Sequence, residues 1–302
     1  MTTFSENLRG IAYLTACNLA FLLSDTLIKL IGSAIPLGEF IAIRGLVVTI
    51  ALAPMVAATG VWRQLPMIRS RALFWRTVGE AASAFTYLAA LMHMPIANLN
   101  TILQIVPLAI TAAGALFLGE MVGARRWAAI AVGFLGVLIV VRPGVEGFNV
   151  YSLLAVASAL LIALRDVSGR VMPRGLPALL VAWVTGASVG LCGPVYAVAI
   201  GEAWVMPPLW AFGYLCASVV FLIGGYLLSV AFMRHGDISV VAPFRYLAII
   251  WAIILGFFVF GDIPDWPVYA GMAIIAASGI YTFQRERNRA RLLEEAAAGE
   301  GL

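Results

Sequence analysis

Ten long apolar stretches, separated by short polar or proline- and glycine-containing breaks, run through most of this 302-residue chain. An α-helix needs roughly 20 apolar residues to cross a bilayer core about 30 Å thick. Helices also satisfy their own peptide hydrogen bonds, which lipid cannot do for them. We therefore predict an all-α membrane protein with ten transmembrane helices. They cover residues 9–30, 37–59, 74–93, 96–118, 126–142, 151–170, 177–200, 210–233, 238–260 and 267–284.

The composition excludes several classes of protein. Hydrophobic residues make up 63% of the chain, charged residues only 11%, and the mean hydropathy is +1.00, values foreign to a soluble domain. The net charge of +4 is not gathered into a continuous basic face, so no nucleic-acid partner is expected. Cys17, Cys192 and Cys216 lie in apolar stretches without metal or redox spacing. We expect no metal and no cofactor.

Matching residues 141 positions apart indicate an internal duplication. The pairs are Asp25 with Asp166, Lys29 with Arg170, Pro36 with Pro177 and Gly45 with Gly186. The duplication predicts two repeats of five helices, over residues 9–142 and 151–284, followed by a charged tail at 285–302. Because five is odd, the second repeat begins on the opposite side of the membrane and is inverted relative to the first.

Basic residues in the short loops predict the orientation of the helices. Lys and Arg in such loops stay on the cytoplasmic side. With both termini in the cytoplasm, that side collects Arg9, Arg63, Arg69, Arg71, Arg125, Arg126, Arg170, Arg174, Arg234 and the arginines of the tail. The opposite side collects Glu146, Glu202, Asp262 and Asp265. The asymmetry favours a multi-pass protein with cytoplasmic termini.

Several motifs, in this order and spacing, resemble the drug/metabolite transporter superfamily in its ten-helix form, which is built from two EamA-type repeats. They are Asp25-x3-Lys29, Asp166-x3-Arg170, Pro107, Leu118-Gly119-Glu120, Trp127 to Gly136, Arg142-Pro143-Gly144, Ala242-Pro243-Phe244-Arg245-Tyr246 and Phe260-Gly261-Asp262. The Ala242 to Tyr246 segment resembles the branch that contains S-adenosylmethionine carriers. The chain departs from the family pattern at Asp262, where the family usually has Glu, and at Ile249, where a proline would match Pro107.

The resemblance implies a secondary transporter in a bacterial inner membrane. Its partners would be a small-molecule solute and the lipid bilayer, and a homodimer is compatible with the fold. Solutes in this family include S-adenosylmethionine and related nucleoside- or amino-acid-like compounds. Amino acids, drug-like compounds and riboflavin are the alternatives.

Arg245 is the strongest candidate for binding solute. A charged residue inside the membrane usually faces a cavity or a partner, and Arg245 lies about eight residues into a predicted helix, shortly after Pro243. Its guanidinium suits a carboxylate or phosphate. The alternative is a structural ion pair with Glu80 or another acid. Tyr246 adjoins it.

Polar and aromatic residues at matching depths of the two repeats are further candidates. Asn100 and Gln104 are four residues apart on one face of a helix, at the positions that an offset of 142 matches to Ala242 and Tyr246. Tyr87 and Tyr226 occupy corresponding positions, where their rings could stack on a planar solute. Interhelical hydrogen bonds and packing are the alternative roles.

Five charged residues are candidates for coupling or gating. Glu80 could bind a coupling proton, or it could pair with Arg76 one helical turn earlier. Asp25 with Lys29 and Asp166 with Arg170 are each four residues apart on one helical face. Structural pairs and parts of a gate are both compatible with that spacing.

The absence of certain motifs argues against several classes of function. The only lysine, Lys29, is not preceded by the glycines of a phosphate-binding loop, which argues against ATP drive. His93 and His235 lack metal-spaced companions, and no filter loop is visible. The sequence favours a secondary carrier over an enzyme or a channel. A membrane-embedded enzyme or scaffold is the hypothesis from another class.

Overall fold

The computed structural model describes residues 4–144, 148–173, 175–234 and 238–299. Three residues named in the sequence analysis lie outside this described part of the chain: Glu146, Arg174 and His235. The described chain forms helices and no strands, which confirms the all-α prediction. The helices are α1 (Phe4–Ile31), α2 (Leu37–Thr59), α3 (Arg71–His93), α4 (Ile96–Leu103), α5 (Val106–Phe117), α6 (Ala124–Val141), α7 (Tyr151–Arg170), α8 (Ala178–Ile200), α9 (Leu209–Arg234), α10 (Ile238–Val241), α11 (Leu247–Leu255) and α12 (Trp266–Gly299).

Nine helical segments of the described chain are long and apolar enough to cross a membrane. They are Glu6–Ala34, Leu37–Thr59, Ile96–Phe117, Ala124–Val141, Tyr151–Arg170, Ala178–Ile200, Leu209–Ser229, Pro243–Phe260 and Trp266–Arg285. The protein is therefore a multi-pass membrane protein. Helix α3 was also predicted to cross the membrane, and at 23 residues it is long enough. No stretch of α3 is apolar enough to be counted with these nine, since Arg76, Glu80 and His93 lie within it, so composition alone does not assign it to the membrane.

The chain divides into two compact units, and each takes segments from both predicted repeats. The first unit comprises Met1–Leu22, Asn100–Phe148 and Gly224–Leu302, and the second comprises Leu23–Leu99 and Asn149–Ile223. The boundary falls inside α1, inside α4 and inside α9. The compact units therefore differ from the sequence repeats.

In the second unit, α2 packs antiparallel against α8. Both helices have 23 residues, both follow a proline, and both end at a left-handed glycine, Gly60 or Gly201. Their backbones approach closely, since a Cβ added to Gly45 would lie 2.6 Å from the backbone nitrogen of Gly190. The indole nitrogen of Trp183 donates to the carbonyl oxygen of Thr49 at 3.2 Å. Small residues let these two backbones meet, as is common between membrane helices.

Helices α3 and α7 form a second antiparallel pair in this unit. Gly79 of α3 contacts the backbone of α7, because a Cβ there would lie 3.0 Å from the backbone nitrogen of Arg165. At the other end of α3, the ring of His93 stacks on Tyr151 with 4.0 Å between centroids. The side chains of this helix pair can therefore meet along its whole length.

In the first unit, α6 packs antiparallel against α12. A Cβ added to Gly271 would lie 2.8 Å from the carbonyl oxygen of Gly136. The hydroxyl of Ser278 donates to the carbonyl oxygen of Ala129 at 2.5 Å. At the end of α6, Arg142 adopts a left-handed conformation with φ of 50° and forms an ion pair of 2.6 Å with Asp265.

Two helical segments are interrupted at points that lie in the first unit. The predicted span 96–118 is confirmed as one long apolar segment, Ile96–Phe117, but inside it the α-helix is interrupted at residues 104–105, between α4 and α5. Pro107 has no N–H for the carbonyl of Leu103, so the α-helical ladder cannot continue there. Pro243 likewise leaves the carbonyl of Ser239 without its helical donor. The backbone from Ala242 to Tyr246 is a 3₁₀-helix between α10 and α11.

Candidate functional site

The 3₁₀ segment of the first unit presents Arg245 and Tyr246. The Arg245 side chain is exposed, while the amide nitrogen of Asn18 donates to its backbone oxygen at 3.4 Å. The Tyr246 hydroxyl lies directly over Gly279 of α12, in the space that a Cβ at that position would occupy. Asn18 and Gly279 thus help to position this segment, and the sequence interpretation singled out neither of them.

Tyr226 lies beside α1 in the same unit. Its ring meets the ring of Phe21 edge to face, with 5.4 Å between centroids, and 54% of the residue is exposed. Phe21 packs on Gly225, where a Cβ would lie 2.6 Å from its ring, and the Cys17 thiol donates to the carbonyl oxygen of Gly225 at 3.3 Å. The glycine lets the aromatic pair come close to the backbone.

Asn100 and Gln104 sit at the interruption between α4 and α5. They are 9% and 5% exposed, so their amide groups are removed from bulk solvent. The Gln104 and Ile105 N–H groups bond to carbonyls three residues back, each at 3.1 Å, as in a tight turn. Buried amides beside a break in a helix can offer both donors and acceptors to a ligand.

In the second unit, Asp25 and Lys29 each reach another segment. The Tyr87 hydroxyl donates to the Asp25 carboxylate, and Arg44 is close enough to interact with both electrostatically. The Lys29 ammonium donates to the carbonyl oxygen of Met94 at 2.7 Å. The two charged residues of α1 therefore contact other segments of this unit.

Arg165 links two predicted carboxylates and was missed by the sequence interpretation. It pairs with Glu80 of α3 at 3.4 Å and with Asp166 at 2.7 Å. The suggested pairing of Glu80 with Arg76 is wrong, because Arg165 on the facing helix occupies that carboxylate. A charge at position 165, inside an otherwise apolar helix and directly before Asp166, was the available signal.

Two further carboxylates in this unit bind backbone rather than basic side chains. Glu202 accepts from the N–H groups of Gly38 and Glu39 at 3.2 and 3.1 Å, and Glu39 accepts from the N–H of Val205 at 2.9 Å. An anion is favourable at the N-terminus of α2 because the first N–H groups of a helix lack helical partners. These contacts join α2 to the segment after α8.

The predicted site residues separate by unit. Five of the six predicted solute-binding residues belong to the first unit: Asn100, Gln104, Tyr226, Arg245 and Tyr246. Tyr87 belongs to the second unit, together with all five predicted coupling or gating residues: Asp25, Lys29, Glu80, Asp166 and Arg170. Among the described residues, no three metal-ligating side chains come together.

Several known transporters are similar to this chain in sequence. It is 28% identical to a riboflavin transporter of Rhizobium johnstonii over 72% of this chain and 71% of that protein. It is 26% identical to the pseudopaline exporter CntI of Pseudomonas aeruginosa over 90% and 94% of the two chains. It is 23% identical to an S-adenosylmethionine uptake transporter of Rickettsia prowazekii over 93% and 94%.

A solved crystal structure matches the fold with a TM-score of 0.57 and 20% identity, covering 92% of this chain and 95% of that one. At that identity, the likeness shows the fold alone. No protein-family model matches the chain. The apolar helices together with the named relatives support a membrane transporter of small metabolites.

Proposed function

We propose that this protein is a secondary carrier that moves a small organic metabolite across the bacterial inner membrane by alternating access. Its ten transmembrane helices would form two inverted five-helix repeats. Antiparallel packing supports the inversion, because α2 matches α8 at an offset of 141 and α6 matches α12 at an offset of 142. Two equivalent helices that pack antiparallel are expected when one repeat is turned over relative to the other.

The single observation that carries the proposal is that two equivalent helices are interrupted at overlapping positions. With the offset of 142, the turn at Gln104 corresponds to Tyr246, the last residue of the 3₁₀ segment. Irregular backbone at membrane depth is tolerated where it is buried in protein or lines a cavity, and broken helices form the solute sites of many carriers. Arg245 lies inside one of these interruptions.

The residues at the interruptions suggest how a solute would be held in the first unit. Arg245 would bind a carboxylate or phosphate, and Tyr246 and Tyr226 would contact a planar ring. Asn100 and Gln104 would hydrogen-bond its polar groups. Tyr87 was predicted to share this role, but its hydrogen bond to Asp25 favours a role in the charged cluster of the second unit.

The chemistry of these residues favours an amino-acid- or nucleoside-like solute. S-adenosylmethionine combines a carboxylate with a flat adenine ring, so it can use both Arg245 and a tyrosine. Riboflavin has a larger flat ring and no carboxylate, so it would depend on the tyrosines and amides more than on Arg245. The relatives include carriers named for each compound.

Counterflow in proteoliposomes tests the function. Vesicles preloaded with unlabelled S-adenosylmethionine or riboflavin are placed in a trace of the same labelled compound. A carrier accumulates label transiently without changing the molecule, and protein-free vesicles do not. A chemically altered label would instead indicate a membrane-embedded enzyme. An absence of accumulation with riboflavin, S-adenosylmethionine and a panel of amino acids would reject the proposed solute classes.

The coupling proposal concerns the charged residues of the second unit. Glu80, Asp25 and Asp166 carry carboxylates, and Lys29 and Arg170 are the basic members of the matched pairs. A carboxylate that changes partner when it binds a proton can bias one conformation over another. We propose that both termini lie in the cytoplasm. Single cysteines introduced near each terminus test this orientation, because a membrane-impermeant reagent labels only those on the side to which it is added.

A further inference from the structure

The second unit contains a cavity that the proposed solute site does not use. It has a volume of about 400 Å³ and lies where α3, α7 and the start of α8 meet. Arg76 of α3 and Arg170 at the end of α7 contribute its basic groups, and Asp166 is its acidic residue. Met172, Val181 and Ala182 form an apolar wall. The cavity thus combines cationic and hydrocarbon surfaces.

Arg76 differs from the other charged residues of this cavity in its hydrogen bonding. Its Nε is buried and has no hydrogen-bond partner in the part of the chain that the structure describes. The guanidinium lies over Gly169, where an added Cβ would be 3.3 Å from Nη1. A buried, unsatisfied donor on a charged group is costly unless something binds it. Because Nε itself is enclosed, an oxyanion in the cavity would bind the outer nitrogens of the guanidinium, of which Nη1 lies beside the lining residue Gly169.

The acidic residue of the cavity does not cancel its positive charge. Asp166 is already bound by Arg165 Nε at 2.7 Å, and Arg165 also pairs with Glu80. Among the described residues that line the cavity, Arg76 and Arg170 face a single carboxylate, and Arg165 already binds that carboxylate. The local balance favours an anionic ligand.

We infer that this cavity binds a phosphate group, with Arg76 and Arg170 as its donors. The guanidinium group matches the geometry of phosphate oxygens. Basic pockets between membrane helices bind the head groups of anionic lipids, and the apolar wall of Met172 and Val181 would accept the adjoining glycerol and acyl carbons. A phospholipid head group and free phosphate share this chemistry, so the experiment must separate them.

Thermal unfolding of the purified full chain in neutral detergent tests the inference. The additives are phosphatidylglycerol, phosphatidylcholine with the same acyl chains, and inorganic phosphate. We expect phosphatidylglycerol to raise the unfolding temperature by on the order of 2–4 °C and phosphatidylcholine to have a much smaller effect. A matching shift with inorganic phosphate would identify free phosphate as a ligand, and no such shift would leave the lipid as the source.

Three variants connect the shift to the cavity. Arg76→Gln removes the unsatisfied charged donor, and Ala182→Phe fills the exposed part of the apolar wall without changing any charge. Both should lose most of the shift relative to their own lipid-free baselines. Arg63→Gln is the matched control, because Arg63 is exposed over the Trp62 ring and does not line the cavity. Equal shifts with both lipids, no shift at all, or an undiminished shift in Arg76→Gln and Ala182→Phe would overturn the inference.

Discussion

The two compact units place their polar groups in contrasting ways. In the second unit, two of the predicted carboxylates are held by side chains of other segments, Asp25 by Tyr87 and Glu80 by Arg165. In the first unit, polar groups gather where helices are interrupted, at Gln104 and Arg245. Both contacts are partly buried, and breaking either one would leave a carboxylate without its donor, so the paired groups resist displacement. The contrast agrees with our proposal that the first unit binds solute and that the charged groups of the second unit take part in coupling.

The largest expected effect comes from Arg245→Ala. If the first unit binds an anionic group, this change should lower counterflow at least tenfold, because a hydrogen bond to a charged group is worth about 1.5–3 kcal/mol. Arg245→Lys keeps the charge and should retain part of the activity. Arg125→Ala, which removes another exposed arginine of the same unit, serves as the control. Full transport by a normally expressed Arg245→Ala protein would remove Arg245 from the site.

The duplication supplies a matched pair for the packing of the second unit. A Cβ at Gly45 would meet the backbone of Gly190, so Gly45→Ala should push α2 away from α8 and destabilise the protein by about 1–3 kcal/mol. At the equivalent Gly186, the nearest atom would be Val48 Cγ1 at 3.4 Å, so Gly186→Ala should be nearly neutral. Thermal unfolding of both variants measures the difference. Equal unfolding temperatures would contradict the asymmetric packing.

Gly279→Ala tests the role of Tyr246 without touching the tyrosine itself. The new methyl group would occupy the place of the Tyr246 hydroxyl and displace the ring. A loss of about 1 kcal/mol in solute binding would weaken the apparent affinity roughly fivefold. Gly213→Ala in α9 is the control, because nothing lies within 4 Å of its added Cβ. Unchanged KM in the Gly279 variant would show that the ring position does not matter.

Glu80→Gln should produce the smallest and most selective change. Without a gradient, we expect the transport rate to stay within about twofold of the original, in line with an effect of roughly 0.5 kcal/mol or less. The stimulation by an imposed pH gradient should fall, because the amide cannot bind the coupling proton. Asp265→Asn removes a carboxylate from the partly exposed pair with Arg142 and should leave that stimulation intact. An unaltered pH response in Glu80→Gln would discard the coupling role.

Hydropathy predicted several helices closely. The predicted range 37–59 matches α2, and the predicted range 151–170 matches α7. A proline before α2 and the change from apolar to polar residues mark these ends in the sequence itself. The interruption at Gln104 was not predicted, because hydropathy averages side-chain polarity over about 20 residues. A single proline at position 107 hardly changes that average, although it removes a backbone hydrogen bond.

Partners of charged residues were harder to predict. Helical spacing favoured Arg76 as the partner of Glu80, since the two residues are four apart. The structure pairs Glu80 with Arg165, which lies 85 positions away. The spacing of Asp25 and Lys29 predicted two charges on one face of a helix. It did not predict that Tyr87 would bind Asp25 or that Lys29 would bind the carbonyl oxygen of Met94. Pairing across helices depends on register and distance, which a single segment does not encode.

The amino-acid order by itself determined the membrane class and most helix boundaries, because burial in lipid requires apolar residues and a hydrogen-bonded backbone in every span. Only the tertiary structure decided which polar groups meet. It assigned Arg245 and Glu80 to different compact units, and within the described part of the chain it left the Nε of Arg76 buried without a hydrogen-bond partner. Those outcomes depend on how closely glycines let antiparallel helices approach, a property that arises only when distant segments pack together.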